Sequence, residues 1–398
     1  MMNNIFNNDK DSKNVVLKSR IVNYFIMNGN STNNDLAKEL GLSVPTVAKI
    51  IGEMCEDGFV DEYGKLETDE GRKPNLYGLN PNSGYFVGVD MMPDEVKIGL
   101  MNFRGDLIDL DSVVYHQQNT MESLDELCAD VASFIDKSKV DKSKILNVNF
   151  NISGRVNPDT GYSYSIFNFS ESSLCSLISE KIGYSVNIEN DTRAMTYGEY
   201  MSGCVKGESN ILFVNLSWGL GMGIIIGGKL YKGCSGFAGE IGHIHMFDND
   251  ILCHCGKKGC LETEASGRAF HRLVNERIAQ GETSILSPHE IGEIPLSEII
   301  SATNREDPLC IDVVEGIGRR LGEALAGMIN IFNPELVIIG GTLSLTGDYL
   351  LHAIRSSVMK YSLGLVNKDT NFLISKLGER AGVIGACMLA RNSSLQIR

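Results

Sequence analysis

The sequence predicts an α/β chain in which a small winged helix-turn-helix module precedes a larger unit of two similar α/β lobes. Three observations predict it. Three short helical periodicities and two strand-like runs fill the first eighty residues. Two β-hairpin patterns punctuated by glycine, beginning at Tyr85 and at Ile211, recur far apart along the chain. Between them and the C-terminus lies a compact Gly, His and Cys segment of metal-ligand spacing, followed by a long helical run and a buried strand.

Residues Asn14 to Asn28 place Val15, Ile21, Val22, Phe25 and Ile26 at roughly helical spacing before Gly29, which gives a first helix. Asn33 to Leu40 gives a second, with Leu36, Ala37 and Leu40 inward, and Gly41-Leu42 makes the turn. Ser43 caps a third helix, Val44 to Asp57, which buries Val47, Ile50, Ile51 and Met54. Its N-terminal half leaves Ser43, Pro45, Thr46 and Lys49 outward, where a recognition helix meets base edges. Strands at Gly58-Phe59-Val60 and Tyr77-Gly78-Leu79 flank the candidate wing. Its tip, Gly71-Arg72-Lys73-Pro74, offers Arg72 and Lys73 to phosphates or the minor groove.

Charge limits this reading. A net charge of −14 over 398 residues excludes a protein that binds nucleic acid over its whole surface, because such affinity rests on Lys and Arg neutralising phosphates. Even residues 1 to 80 carry nine Lys and Arg against twelve Asp and Glu. A DNA-reading face is therefore local, or the three-helix unit is a packing module.

With 43% hydrophobic and 22% charged residues, the chain has the balance of a soluble globular protein of two or three domains. The polar start Met1 to Lys10 lacks the apolar core of a signal peptide, so a cytoplasmic location without membrane attachment is expected. The apolar run Ile211 to Gly228 contains Asn, Ser and many Gly, and reads as a buried hairpin rather than a membrane helix.

After Asn80-Pro81-Asn82-Ser83-Gly84 the runs Tyr85 to Asp90 and Val96 to Phe103 form a hairpin pattern. Ile211 to Leu216 and Met222 to Ile226 repeat it. Ser123 to Asp136 and Asp312 to Ile331 read as helices, and Glu335 to Ile339 as a buried strand entering Gly340-Gly341. Asp191 follows the strand Val186 to Glu189, so it emerges at a strand end, where ligands bind in open α/β sheets. An aspartate there can equally cap the helix Thr192 to Tyr200.

Cys253, Cys255 and Cys260, with Gly256 and Gly259 between and beside them, form a tight knuckle. Zn²⁺ takes four tetrahedral N and S ligands, and three thiolates so spaced converge from a bend of this kind. On spacing, His243, His245 or His254 supplies the nitrogen. The other seven cysteines are scattered in apolar contexts, which fits a reducing compartment.

Taken together, Gly221-Met222-Gly223, Ala238-Gly239-Glu240-Ile241-Gly242-His243 and Cys253-His254-Cys255-Gly256-Lys257-Lys258-Gly259-Cys260-Leu261-Glu262 resemble the ROK family of repressors, open reading frames and kinases. Ser153 to Asn157, Asn190-Asp191 and Val337 to Gly341 extend the resemblance over nearly the whole chain, and Gly-Arg-Lys-Pro recurs in the wings of ROK repressors. The resemblance implies a two-lobed actin-like fold of the sugar-kinase type with sugar bound between lobes. It implies zinc held by His243, Cys253, Cys255 and Cys260, and sugar hydroxyls met by Gly154, Asn168, Asn190, Asp191, Glu240, His243 and Glu262. Domain boundaries follow as 1–80 for the DNA-binding module and 81–398 for the ROK unit. Lobe one covers about 81–190 plus the C-terminal helix, and lobe two about 191–380.

The family contains kinases and repressors, and the phosphate turns divide them. Kinases carry Asp-x-Gly-Gly-Thr-Lys in the first turn, where this chain has Asp90-Met91-Met92-Pro93-Asp94-Glu95. Pro93 has no N–H to donate, and two carboxylates repel phosphate. In the second, Gly219-Leu220-Gly221 places Leu where kinases carry Thr, beside Trp218. The expectation is a non-enzymatic regulator, a homodimer or homotetramer. Its binding to operator DNA at carbohydrate genes responds to a monosaccharide, amino sugar or sugar phosphate. The alternative is an ATP-dependent sugar kinase with Asp191 as general base.

Overall fold

Local caps set the first helices. The computed structural model describes residues 13–66, 73–286 and 293–395, with α1 at Lys13–Asn28, β1 at Ser31–Thr32, α2 at Asn33–Leu40 and α3 at Val44–Glu56. The Thr32 hydroxyl accepts the Asp35 N–H to start α2, and Gly41, at φ 66°, ends it in the left-handed region. Ser43 starts α3 by accepting the Thr46 N–H. Strands β2 (Val60–Lys65) and β3 (Asn75–Leu79) form the wing hairpin, and β1 joins it in the order β1-β3-β2. The sequence reading lacked β1, since two residues are too short to show alternation.

The winged helix is not a loosely tethered bead. Its core of Ile21, Leu36, Val47 and Ile51 is continuous with Phe86, Phe103, Ala390 and Leu395. Phe59, just before β2, lies 5.7 Å from the ring of Phe103.

The next segment contains β4 (Tyr85–Met91), β5 (Glu95–Asn102), β6 (Leu107–Val114), α4 (Met121–Lys137), β7 (Ile145–Ile152), β8 (Val156–Asn157), β9 (Tyr162–Ser163), α5 (Leu174–Ile182) and β10 (Val186–Asn190). Its sheet has the order β10-β7-β4-β5-β6. Then follow α6 (Asp191–Ser202), β11 (Ile211–Leu216), β12 (Leu220–Ile226), β13 (Lys229–Leu230), α7 (Gly267–Ala279), α8 (Leu296–Asn304), α9 (Pro308–Phe332), β14 (Leu336–Gly340), α10 (Asp348–Tyr361), α11 (Gly364–Asn367), β15 (Asn371–Ile374) and α12 (Ala381–Leu395). The second sheet has the order β13-β12-β11-β14-β15.

The two sheets share one plan. In each, the first strand is central, its two antiparallel successors lie on one side and two later strands on the other. The central strand pairs in parallel with the first of those later strands. The apolar run from Ile211 is the β11–β12 hairpin. Among the described residues, no helix is long and apolar enough to cross a membrane.

The chain divides into two compact units. Unit one takes in the described residues through Gly154, Thr160–Glu189 and the chain from Ala386; unit two is Arg155–Asp159 with Asn190–Gly385. All ten cysteines are free thiols. Cys234 is exposed, unlike the apolar setting expected of it, because it lies in the Gly-rich stretch after β13.

Candidate functional site

Glycines deliver the first acidic group of unit two. Gly239 sits at φ 91°, and a Cβ there would lie 1.8 Å from the Met222 carbonyl, so only glycine lets this loop bond to β12. Met222 N–H donates to the Gly239 carbonyl at 3.0 Å. Exposed Glu240 and a 3₁₀ turn, Ile241–His243, follow directly.

The knuckle folds back to meet His243. Cys253 N–H donates to the Lys257 carbonyl, Gly256 N–H donates to the Cys253 carbonyl, and Gly256 and Gly259 take φ of 85° and 72°. His243 Nδ1 then stands 3.6 Å from Cys253 Sγ, and Cys255 Sγ 3.7 Å from Cys260 Sγ. All four ligand atoms lie within 4.8 Å of one another, a group that can hold a metal ion. Burial pushes the Cys253 thiol up to about 12 and raises Cys260 as well. At Cys255 burial also acts upward, but hydrogen bonds from the Lys257 N–H and neighbouring thiols, with the Lys257 charge, hold it below the usual range. A cation held among these sulfurs would supply the charge that thiolates need in such a setting.

The other two histidines have different places. His245 pairs its backbone with Cys260 in an isolated bridge. The His254 ring faces Glu262, with Nδ1 2.8 Å from Oε1, and these two with Cys253 form a second group of ligand atoms within 4.8 Å of one another. Glu262 is buried, and its Oε2 accepts the Leu220 N–H at 3.0 Å. On the other side of His243, Nε2 is 3.7 Å from Glu240 Oε2. Glu240, His243 and Glu262 therefore gather around the knuckle.

Asn190 and Asp191 sit at the start of α6. The cap is Asn190, whose Oδ1 accepts the Arg193 N–H at 3.1 Å. Asp191 is the first helical residue, and its Oδ1 accepts the Thr192 N–H at 2.7 Å and the Asn190 side-chain amide at 2.9 Å. Asn215 on β11 donates to Thr192 Oγ1 at 3.0 Å and so ties α6 to the second sheet.

Two anticipated residues lie in unit one. Gly154 has φ 89°, and a Cβ would come 2.3 Å from Ser165 Oγ. Asn168 is exposed and pairs with Asn119, accepting from its amide at 2.8 Å and donating its own N–H at 3.2 Å.

The two phosphate turns are closed. Met92 N–H donates to the Glu95 carbonyl at 2.9 Å, making Asp90 to Glu95 a self-bonded hairpin, and Met91 is buried in β4. Asp90 Oδ1 accepts the Asn151 amide at 3.0 Å. In the second turn Leu220 is buried, with its N–H spent on Glu262.

On the winged helix, Ser43, Pro45, Thr46 and Lys49 are exposed along the start of α3, and Lys73 is exposed before β3. Arg72 lies outside the described residues. A pocket of about 450 Å³ in unit two, which shares Glu240 with the group around the knuckle, lies between Tyr231, Phe237, Ile244, Met328 and Phe332.

Residues 86–393 match the ROK family, and residues 17–61 match the winged helix-turn-helix DNA-binding family. The chain belongs to the ROK family. It is similar to the xylose repressor of Caldicellulosiruptor bescii, with 30% identity over 388 residues, 96% of each chain. It is also similar to the glucokinase of Halalkalibacterium halodurans, with 31% identity over 77% of this chain and 95% of that one. Among solved structures, a ROK family transcriptional regulator homologous to the Escherichia coli MLC protein superposes with a TM-score of 0.82. That match has 27% identity and covers 96% of both chains. The matches to the repressor and to the transcriptional regulator thus cover 96% of this ROK protein, and the match to the glucokinase 77%.

Two features were not read from the sequence: the Glu262 partnership of His254, and the setting of Trp218. The spacing of His254 suits a metal ligand and gives no sign that its ring turns to Glu262.

Proposed function

We propose that this ROK protein is a sugar-responsive, DNA-binding transcriptional repressor of carbohydrate-utilisation genes acting in the cytoplasm. The observation that carries the reading is one chain holding a winged helix-turn-helix and a ROK unit whose phosphate turns spend their N–H groups internally. The DNA-binding module ends near residue 80 and the sugar-binding unit fills the rest. Ser43, Pro45, Thr46 and Lys49 face the major groove, and Lys73 with Arg72 reaches the backbone from the wing. Operators with two-fold symmetry call for a homodimer or homotetramer.

The sugar is held in unit two by Asn190, Asp191, Glu240, His243 and Glu262. Carboxylates and amides match vicinal hydroxyls because each offers paired acceptors or donors. Zinc is the metal that suits His243, Cys253, Cys255 and Cys260. Zn–S and Zn–N bonds of about 2.3 and 2.0–2.1 Å in a tetrahedron require S···S near 3.8 Å and S···N near 3.6 Å. The observed 3.7 and 3.6 Å support that choice. A bound zinc ion would be held by the three thiolates and His243 Nδ1, while His243 Nε2 faces Glu240, 3.7 Å from its Oε2. Sugar binding changes DNA affinity only if it favours one conformation over another.

The test is thermal stabilisation against monosaccharides, amino sugars and sugar phosphates, each with and without Mg-ATP. One sugar should shift the melting temperature without ATP, and the same sugar should change operator affinity. If saturating sugars of many kinds leave operator affinity unchanged in active protein, the reading fails. The 31% identity to a glucokinase supports a second reading, a sugar kinase with Asp191 as general base. ATP consumption that disappears in Asp191→Ala would favour it.

A further inference from the structure

We infer that Trp218 forms a stacking platform for a second sugar ring, so that the effector is a glycoside of at least two rings. This inference rests on the sugar-binding reading of unit two. Trp218 is the chain's one tryptophan, and it stands two residues past Leu216, the last residue of β11. Its neighbours Leu216 and Leu220 are buried, whereas the indole is 40% exposed.

The backbone around it is fixed. Trp218 O accepts the Arg268 N–H at 3.0 Å, and Ser217 O accepts the Gly267 N–H at 2.7 Å, so the first turn of α7 clamps the loop. The ring is backed from that helix. The Arg268 guanidinium lies 5.9 Å from the ring centroid and the His271 ring 5.4 Å away, tilted by 58°. Arg268 is exposed and forms no ion pair among the described residues, so its donors can meet hydroxyls.

One close approach and two separate sets of partners place this platform next to, and not within, the ring site already proposed. A Cβ on Gly219 would come 3.0 Å from Glu262 Oε2, so the residue after Trp218 touches the carboxylate of the first site. The indole itself has its partners on α7, while Glu262 has Leu220 and His254. The two residues after Trp218 thus run along Glu262, which puts a ring seated on the indole in the neighbourhood of a ring at Glu262. Carbohydrates present C–H faces that an aromatic face matches and hydroxyl rims that a guanidinium matches. Because the backbone that carries the ring is held by these bonds and the ring is packed against Arg268 and His271, little is lost on ordering it.

The experiment uses the full chain with three matched pairs: xylose and xylobiose, glucose and cellobiose, N-acetylglucosamine and its β-1,4 disaccharide. Binding is followed by thermal stabilisation in the wild type, Trp218→Ala and Trp218→Phe, and in the wild type also by the emission of Trp218. The expected result is one disaccharide binding at least tenfold tighter than its monosaccharide and changing the emission. Trp218→Ala should erase that tenfold advantage while keeping the monosaccharide affinity, and Trp218→Phe should retain most of it. If a monosaccharide binds as tightly as every disaccharide, and Trp218→Ala changes neither, the platform is refuted and the sugar site stands. If no sugar binds folded protein, the sugar site itself is refuted and the platform with it.

Discussion

Leu220 donates its backbone N–H to the buried Glu262 carboxylate at 3.0 Å, so a turn that could cradle a phosphate is instead bonded to a residue of the candidate sugar site. Glu262 therefore has a structural duty besides any contact with a ligand. Glu262→Ala leaves a buried N–H without an acceptor and is expected to lose about 1–3 kcal/mol of stability. Glu262→Gln retains an acceptor oxygen and should lose less. Denaturant unfolding of both variants measures the difference, and equal losses would show that the Leu220 bond contributes nothing.

The knuckle gives a prediction about metal. Cys255→Ser removes one of four converging ligand atoms, and zinc content should fall from about one per chain. A chelator should lower the melting temperature of the wild type more than that of this variant. Sugar affinity should weaken with metal loss, because His243 belongs both to the knuckle and to the Glu240 side. Elemental analysis and a sugar titration on the same samples check both points, and a folded zinc-free variant with unchanged sugar affinity would break the link.

Lys49 tests the DNA face. It is exposed on α3 beyond the capped first turn. Lys49→Ala should weaken binding about equally across operator variants and reduce the salt slope of log K by about 0.9. Ser43→Ala acts differently, because it removes the acceptor for the Thr46 N–H and should cost about 0.5–2 kcal/mol of stability. Salt titrations by fluorescence anisotropy separate the two effects.

Much of this arrangement is legible in the residues themselves. Helical periodicity with Ser43 and Gly41 as punctuation marks α2 and α3 to within a residue, since local caps and apolar spacing depend on neighbours alone. The repeated hairpins at Tyr85 and Ile211 foretell the shared sheet plan. What stays hidden depends on long-range partners. Strand β6 alternates Asp109 and Asp111 with Leu110 at a sheet edge, where both faces are exposed and no buried face sets a pattern. The turning of His254 to Glu262 and of Trp218 to α7 is set by side chains distant in sequence, so spacing carries no sign of either. Nor does spacing show that Asn190, not Asp191, caps α6, because both residue types suit that position.

Asp307 predicts how unit two responds to acid. The residue is fully buried at the start of α9, where Oδ2 accepts the Ile285 N–H at 2.7 Å and the Ser284 hydroxyl at 2.9 Å, while Oδ1 accepts the Cys310 N–H at 2.9 Å. Burial pushes its carboxyl upward, but these donors outweigh burial and hold it below the usual carboxylate range. A depressed folded value means that the unfolded chain takes up its proton first as pH falls. The stabilisation is thus complete above about pH 4, the unfolded value, and is lost as pH drops through the folded one. Asp307→Asn sets an amide donor against the Ile285 or Cys310 N–H and should cost about 1–3 kcal/mol at pH 7. That deficit should shrink as the wild type is acidified below pH 4, because protonation imposes on Asp307 much the same loss. Urea unfolding at neutral and acid pH reads the deficit, and a deficit constant with pH would rule out this carboxylate as the source of acid sensitivity.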